Sequence, residues 1–331
     1  MKAPFGNTDH GNVLLSALNL SIGYKNRNVE NVLLEDLNLQ VKAGELICFM
    51  GPNGIGKTTL IRTLAGLQTP LKGSVLSGPS TDSPLAKNAE KNISLVLTDR
   101  ISAVNMTVDE LVTYGRYPYV KWNLKLRPED RKAIELALEQ TRITHLIGKK
   151  LFELSDGQIQ LVMITRALAQ DTPLILLDEP TAHLDLNNRV EIMNLLRKLS
   201  RKMNKGIIVA THELDLALQT ADLIWLAGKN KKILQGIPED LVLNGSFDDI
   251  FQLKGYDLKT GKVFHEPWRD ISISVTGSGY EYLWTKNALE RNGFTLSDEG
   301  KRIIIDNKDG NLSWLYNHQR YSTLHELILN V

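Results

Sequence analysis

The segment from Gly51 to Thr58 has residue types and a spacing suited to binding a phosphate chain. It reads Gly-Pro-Asn-Gly-Ile-Gly-Lys-Thr, between the apolar run Glu45–Met50 and a helical pattern over Lys57–Leu67. Glycines allow backbone N–H groups to wrap phosphates, and the helix N-terminus adds a favourable dipole. In such a P-loop, Lys57 reaches the β- and γ-phosphates and Thr58 ligates Mg²⁺. The expected nucleotide contacts are Gly51, Asn53, Gly54, Gly56, Lys57, Thr58 and Thr59.

Two adjacent acids follow a second apolar strand. Leu174–Leu177 is continuously apolar and is followed directly by Asp178 and Glu179. An acid at a strand end can hold the Mg²⁺ shell of a P-loop protein, which predicts Asp178 as a metal ligand. Glu179 is then placed to polarise an attacking water as a general base. A solvated acidic turn is the alternative interpretation, and the P-loop argues against it.

A short polar motif, Leu154-Ser155-Asp156-Gly157-Gln158, precedes another helical stretch. Ser155 can cap that helix, which leaves backbone N–H groups directed at an anion. In isolation the motif is only a capped helix. Here it lies between the P-loop and the acidic strand, in the order P-loop, Leu-Ser-x-Gly-Gln and Asp-Glu-Pro.

This order of motifs resembles the ATP-binding domain of ABC transporters over roughly residues 13–250. The resemblance implies ATP as the nucleotide and a homodimer in which two chains sandwich each ATP. Ser155, Gly157 and Gln158 of one chain would then face the P-loop of the other. It further implies that Tyr24 stacks on adenine, that Asp185 belongs to the D-loop, and that His212 contacts the γ-phosphate beside the catalytic residues Lys57 and Glu179.

The sequence departs from the family pattern at two places. The third signature residue, usually glycine, is Asp156, which suits the first turn of a helix. The glutamine that the family places after the strand Ile93–Leu97 is replaced by Thr98, followed by Asp99. Two residues are open as the metal sensor in place of the glutamine: Thr98, acting through a water molecule, or Asp99, acting directly.

A narrower resemblance is to importers of iron-siderophore, haem and cobalamin complexes. It depends on Thr107–Val112, on Gly115-Arg116-Tyr117-Pro118-Tyr119, and on the run Glu179–Asp185. It implies a dimeric membrane permease as partner, a substrate-binding protein as indirect partner, and a peripheral location on the cytoplasmic face of the inner membrane. A soluble ABC ATPase acting as a scaffold, for example in iron–sulfur biogenesis, is the alternative. A P-loop kinase and an exporter are disfavoured.

The elements that must position these residues are short apolar strands alternating with helices. This alternation predicts an α/β fold with a mostly parallel sheet, a P-loop NTPase core. Val13–Tyr24 and Leu33–Val41 are expected to form an antiparallel β subdomain, and about 100–165 a helical subdomain. Residues 78–92 are expected to be a surface loop. We assign 1–255 to the ATP-binding domain and 260–331 to a small α+β domain of unknown role.

Composition excludes little but is consistent with this interpretation. The chain has 331 residues, 42% hydrophobic and 23% charged, with a formal net charge of +1. This balance gives no support to nucleic acid as a partner. The single cysteine, Cys48, lies in an apolar run and is expected to be buried. We expect neither a signal peptide at the polar N-terminus nor a membrane span.

Overall fold

The computed structural model describes residues 13–26, 29–77, 89–98, 105–120, 125–308 and 311–331. The chain divides into two compact units, Met1–Gln252 and Leu253–Val331. We call them the first and the second unit. Within the described ranges, each helix is too short or too polar to cross a bilayer.

The first unit is an α/β structure. Its strands are β1 (Val13–Asn26), β2 (Val29–Lys42), β3 (Leu46–Met50), β4 (Lys72–Ser77), β5 (Ile93–Val96), β6 (Leu174–Asp178), β7 (Gly206–Ala210), β8 (Leu223–Ala227) and β9 (Ile233–Gly236). Its α-helices are α1 (Lys57–Leu64), α2 (Ala89–Asn92), α3 (Val108–Thr113), α4 (Pro128–Thr141), α5 (Asp156–Ala169), α6 (Leu186–Met203), α7 (Leu214–Thr220), α8 (Pro238–Leu243) and α9 (Ser246–Phe251).

A six-stranded sheet in the order β5-β6-β7-β3-β8-β9 forms the centre of the first unit. All neighbouring strands of this sheet are parallel except β8 and β9, which pair antiparallel as a hairpin. Every residue of β3, β6 and β7 is buried, because these apolar runs are covered on both faces. The carboxyl ends of β5, β6, β7 and β3 therefore meet at one edge, where ligands bind in sheets of this kind.

A three-stranded antiparallel sheet, β2-β1-β4, shares its hydrophobic core with the larger sheet and α1. The pairing of β1 with β2 confirms the predicted antiparallel β subdomain. Sequence reasoning missed β4, since only Val75 in this edge strand is buried and its alternation is weak. The expectation of a surface loop over 78–92 is wrong at its end, where Ala89–Asn92 forms a helical turn. Residues 78–88 lie outside the described ranges.

Helix α5 packs against both α3 and α4, and a buried ion pair lies between the turn after α3 and α4. Arg116 donates to Asp130 Oδ1 from Nε at 3.0 Å and from Nη2 at 2.9 Å, and its Nη1 donates to the Ala169 carbonyl at 2.9 Å. A side chain at Gly115 would bring its Cβ within 2.3 Å of the Arg166 carbonyl oxygen. The Gly-Arg pair thus joins the turn after α3 to both longer helices.

The second unit is a small α+β fold with a core of its own. Its sheet has the order β13-β12-β14-β15-β16 and is mixed. Its elements are β10 (Tyr256–Asp257), β11 (Lys262–Val263), β12 (Ser272–Thr276), α10 (Gly279–Arg291), β13 (Thr295–Leu296), β14 (Lys301–Lys308), β15 (Asn311–Tyr316), β16 (Gln319–Tyr321) and α11 (Leu324–Asn330). The hairpin β15–β16 was not predicted; its turn places Asn317 and His318 at positive φ without any glycine.

Candidate nucleotide-binding site

The P-loop joins β3 to α1, in the strand–turn–helix context that the motif requires. Gly56 precedes the helix in a left-handed conformation, with φ of 111°, which glycine adopts at low cost. The Lys57 ammonium is nearly buried and donates to the Gly51 carbonyl at 3.1 Å. The amine is therefore held against its own loop, while Asn53 and Thr58 remain exposed to solvent.

A pocket of about 460 Å³ lies over this loop. It is lined by Tyr24, Leu33, Asn53, Gly54, Gly56, Lys57, Thr58, Thr59 and Glu179. The Tyr24 hydroxyl lies 2.9 Å from the Thr59 hydroxyl, and 53% of the tyrosine surface is exposed. This contact holds the phenol at the pocket, while about half of the tyrosine surface stays open to solvent. Leu33 is a lining residue that sequence reasoning missed, and nothing in its strand pattern marks it.

The two acids at the end of β6 have different environments. Asp178 is the last residue of the strand and is only 2% exposed. Glu179 follows at positive φ, with its N–H donating to the Ala210 carbonyl at 2.8 Å. A non-glycine residue in that backbone conformation costs free energy and recurs at functional sites. The turn directs the Glu179 side chain into the pocket over the P-loop.

The Glu179 carboxylate lies between two nitrogen groups. Its Oε1 is 3.9 Å from the Lys57 ammonium, and its Oε2 is 2.6 Å from His212 Nδ1. The three residues follow three neighbouring strands, β6, β3 and β7. A carboxylate held between two nitrogen groups in this way can accept a proton from a water molecule. Lys57 and Glu179 line the P-loop pocket, whereas His212 is not among its lining residues.

His212 has further neighbours that sequence reasoning missed. Its Nε2 lies 3.8 Å from Glu213 Oε1, and Glu213 pairs with Arg189 at 2.8 Å. The Arg189 Nε donates to the Leu184 carbonyl at 2.6 Å. These contacts tie the residue after β7 to the start of α6. The sequence signal that could have indicated these neighbours is the glutamate directly after the predicted functional histidine.

Thr98 follows β5 and contacts the acidic strand. Its hydroxyl donates to the Asp178 backbone carbonyl at 2.9 Å, so its proton is already engaged. Asp99, the other candidate at this position, lies outside the described residues. Thr98 thus contacts the backbone, and not the carboxylate, of the predicted metal ligand Asp178.

The signature motif begins α5. The Ser155 hydroxyl accepts from the Gln158 N–H, and the Gln158 side chain accepts from the Ser155 N–H, a complete capping box. A Cβ on Gly157 would lie 2.8 Å from the Asn188 side chain. Asn188 in turn donates its N–H and its side-chain amide to Asp185, both at 2.9 Å.

These motif residues are arranged separately from the P-loop. Ser155, Gly157, Gln158 and Asp185 do not line the P-loop pocket in the described part of the chain. One chain therefore presents two surfaces, a phosphate pocket and a capped helix start joined to the beginning of α6 through Asn188. The arrangement suits a site completed by a second chain.

Comparisons with known proteins show which family the chain belongs to. Residues 34–182 match the family model described as "ABC transporter". An ABC transporter ATP-binding protein of Methanocaldococcus jannaschii, MJ0873, is 38% identical over 242 residues, 73% of this chain and 82% of the relative. The chain belongs to the ABC transporter ATP-binding family. This confirms the predicted family, P-loop NTPase fold and ATPase class, and ATP is the nucleotide that the ABC ATPase binds.

Other relatives of this ABC ATPase are named for iron uptake. The iron(3+)-hydroxamate import ATP-binding protein FhuC of Bacillus subtilis is 34% identical, over 72% of this chain and 88% of the relative. The ferric enterobactin transport ATP-binding protein FepC of Escherichia coli is also 34% identical, over 71% of this chain and 86% of the relative. Neither name supports the scaffold alternative. Residues 270–331 match the model described as "Iron ABC transporter C-terminal domain".

A solved structure shares the fold of the first unit. It is the dimeric, post-hydrolysis state of the ATP-binding cassette MJ0796 bound to ADP and Pi. The identity is 27% and the TM-score 0.58, with 68% of this chain and 99% of that chain covered.

Proposed function

We propose that this ABC ATPase energises an importer of iron-siderophore, haem or cobalamin complexes, with hydrolysis at the P-loop pocket. The observation that carries the ATPase part is the Glu179 carboxylate between the Lys57 ammonium, at 3.9 Å, and His212 Nδ1, at 2.6 Å. The import part is supported by the iron-uptake names of FhuC and FepC and by the match of residues 270–331.

The chemistry follows from the roles of these residues. Lys57 and the α1 N-terminus bind the phosphates, and Tyr24 stacks on the base. Glu179 orients a water molecule and accepts its proton as it attacks the γ-phosphate, and His212 contacts that phosphate from the other side of the carboxylate.

Mg²⁺ fits the donor set at this site. The Thr58 hydroxyl is exposed on the first turn of α1, and the Asp178 carboxylate lies at the end of the neighbouring β6. Mg²⁺ is usually bound by one or two protein oxygens together with substrate phosphates. When bound, it neutralises phosphate charge; Thr58 and Asp178 hold it, and Thr98 fixes the backbone of Asp178.

A second chain completes the site in this proposal. Ser155, Gly157, Gln158 and Asp185 of one chain face the nucleotide on the P-loop of its partner, in an ATP-sandwich homodimer. The Ser155 hydroxyl accepts from the Gln158 N–H, and the other N–H groups at the start of α5 are suited to an anionic partner.

The membrane permease is expected to dock on a groove of about 650 Å³ in the first unit. The groove is lined by the end of α1, by β5 and by α5, and it includes the exposed side chains of Leu67 and Tyr114. Leu97, another lining residue, directly precedes Thr98 and hence the contact with Asp178. A permease seated here, on the cytoplasmic face of the inner membrane, can sense the nucleotide state. A substrate-binding protein delivers cargo to that permease.

Uptake measured in cells tests this function. The chain is produced with the permease that it binds, in a strain lacking its own uptake ATPases, and given radiolabelled iron(3+)-hydroxamate, haem or cobalamin. We expect uptake with the native chain and none with Lys57→Ala, because the phosphates lose their main cation. A native chain that hydrolyses ATP and binds the permease but supports no uptake of iron chelates, haem or cobalamin contradicts the import assignment.

A further inference from the structure

The second unit carries a pocket of about 550 Å³ formed entirely by its own residues. We call it the α10–α11 groove, because those two helices and the segment around β11 surround it. Its chemically distinctive lining residues are Lys262, His265, Trp284, Arg291, His325 and Ile328. The volume lies within the range of about 300–1,000 Å³ that is typical of small-molecule sites.

The residues of α10 and α11 that line the groove are different from those that these helices bury in the core of the second unit. α10 buries Thr285 and Leu289, and α11 buries Leu327 in the core of the second unit. Trp284 and Arg291 lie two helical turns apart on another stripe of α10, and both line the groove. The stripe is therefore free to contact a ligand without any change in the core.

Trp284 is the aromatic surface of the groove. It is 65% exposed, whereas Trp314 of the same unit is 5% exposed and donates its indole N–H to the Thr285 hydroxyl at 2.7 Å. A tryptophan left open to water forgoes the hydrophobic stabilisation that burial of its large ring gives. An aromatic ligand stacked on Trp284 would bury that ring.

The charge of the groove is positive. Lys262 and Arg291 line it, and in the described part of the second unit neither has a carboxylate within salt-bridge distance. The lining carboxylate, Glu290, lies 3.9 Å from Lys286 and is balanced by it. Two cations that form no ion pair with a described carboxylate favour an anionic ligand.

The histidines point to an organic ligand rather than a metal ion. His265 and His325 add imidazole nitrogens to the groove. No group of three or more His, Cys, Asp or Glu side chains among the described residues could hold a metal ion. The imidazoles are thus available as hydrogen-bond donors to an acidic group.

We propose that the α10–α11 groove binds a small aromatic anion, a planar ring carrying a carboxylate or a similar acidic group. The ring stacks on Trp284, and the acidic group pairs with Arg291 and Lys262. Every residue that lines the groove belongs to the second unit, so ligand binding there can be measured independently of the import function.

Isothermal titration calorimetry of the full chain with three probes tests this inference. The probes are naphthoate, its uncharged counterpart naphthamide, and the non-aromatic anion cyclohexanecarboxylate, with ADP present to keep the P-loop pocket filled. We expect naphthoate to bind and each of the other two to bind at least about tenfold more weakly, because each lacks one of the two interactions. Trp284→Ala and Arg291→Gln should each weaken naphthoate binding by about tenfold.

Two matched variants control for non-specific effects. Tyr280→Ala removes an aromatic that is 81% exposed on the same helix, and Arg302→Gln removes an exposed arginine on β14; neither lines the groove. Both should bind naphthoate like the native chain, and thermal unfolding shows whether each variant is folded. The proposal is overturned if naphthoate does not bind at millimolar concentration, if naphthamide binds equally well, or if folded Trp284→Ala and Arg291→Gln proteins bind like the controls.

Discussion

At the scale of single residues, the Glu179 carboxylate, which follows β6, contacts side chains that follow β3 and β7. Its two oxygens contact the nitrogens of Lys57 and His212 at 3.9 and 2.6 Å. The turn that makes these contacts requires Glu179 at positive φ, with its N–H bonded to the Ala210 carbonyl. The backbone, and not only the side chain, is therefore specialised at this residue.

Glu179→Gln should separate ATP binding from hydrolysis. Glutamine keeps the shape but is a poor base, and the loss of a positioned general base lowers a rate by about 10²–10⁴-fold. It also removes a negative charge near the phosphates, so ATP binding should not weaken. The expected product is a slow-turnover protein that accumulates as an ATP-bound dimer, measured by ATPase rate and size-exclusion chromatography with Mg-ATP.

Two further variants serve as controls for this prediction. Lys57→Ala should lose phosphate affinity and form no ATP-dependent dimer, while Glu191→Gln, an exposed glutamate of α6, should behave like the native chain. Near-normal turnover of the Glu179→Gln protein would exclude Glu179 as the base and direct attention to Asp178 or His212.

At the scale of elements, the Arg116–Asp130 pair joins the turn after α3 to α4. The Asp130 carboxylate is fully buried and receives hydrogen bonds from both Arg116 and the Arg127 N–H. Burial by itself raises the pKa of this carboxyl, but the hydrogen bonds from Arg127 and Arg116 outweigh burial and lower the pKa below its ordinary value. The motif around Gly115 that resembles importers thus has a structural role in addition to any contact with a permease.

Asp130→Asn should destabilise the first unit, because it leaves the Arg116 guanidinium buried without its counter-ion. Breaking such a pair costs about 3–5 kcal/mol of unfolding free energy. The pKa of Asp130 is lower in the folded chain than in the unfolded chain. The ionised carboxylate therefore stabilises the fold at pH values above the unfolded pKa of about 3.9, and this stabilisation is lost as the pH falls through the folded pKa. Urea unfolding should show a large difference between variant and native chain at neutral pH, narrowing under strongly acidic conditions.

Glu129→Gln is the matched control for this substitution. Glu129 is the exposed neighbour of Asp130 in the first turn of α4, and its substitution should change stability by no more than about 0.5 kcal/mol. Equal stabilities of the Asp130→Asn and Glu129→Gln proteins at neutral pH would show that the buried pair contributes nothing.

At the scale of the whole molecule, the two units have separate hydrophobic cores. The larger core joins both sheets of the first unit, and the smaller one lies within residues 271–331. The residues that line the P-loop pocket all belong to the first unit, and those of the α10–α11 groove to the second. Nucleotide binding and the second unit can accordingly be tested apart.

Removal of residues 253–331 should leave ATP affinity unchanged within about twofold, because every residue that lines the P-loop pocket belongs to the first unit. Binding of a fluorescent ATP analogue to the purified first unit measures this, with far-UV circular dichroism as the folding check. The same truncated chain carrying Lys57→Ala should lose binding. Loss of nucleotide binding in a folded truncated chain with Lys57 intact would place part of the nucleotide site in the second unit.

The sequence alone was sufficient for the fold class and for the family, because both depend on local signals. Buried parallel strands are continuous apolar runs, as in β3, β6 and β7, and the P-loop, the signature and the acidic pair are contiguous in the chain. The start of α5 at Ser155 was predictable for the same reason, since a cap and its partner are three residues apart.

What only the tertiary structure decided are the contacts between residues distant in the chain. The Thr98 hydroxyl donates to the Asp178 carbonyl, 80 positions away. Asp99 lies outside the described residues, so the choice between Thr98 and Asp99 as the residue that acts beside the acids stays a prediction. The sequence also did not predict the ion pairs Arg116–Asp130 and Arg189–Glu213 or the α10–α11 groove. Hydrophobic periodicity indicates which face of an element is buried, but not which side chains of different elements come into contact. The edge strand β4 and the hairpin β15–β16 depend on strand partners rather than on their own pattern.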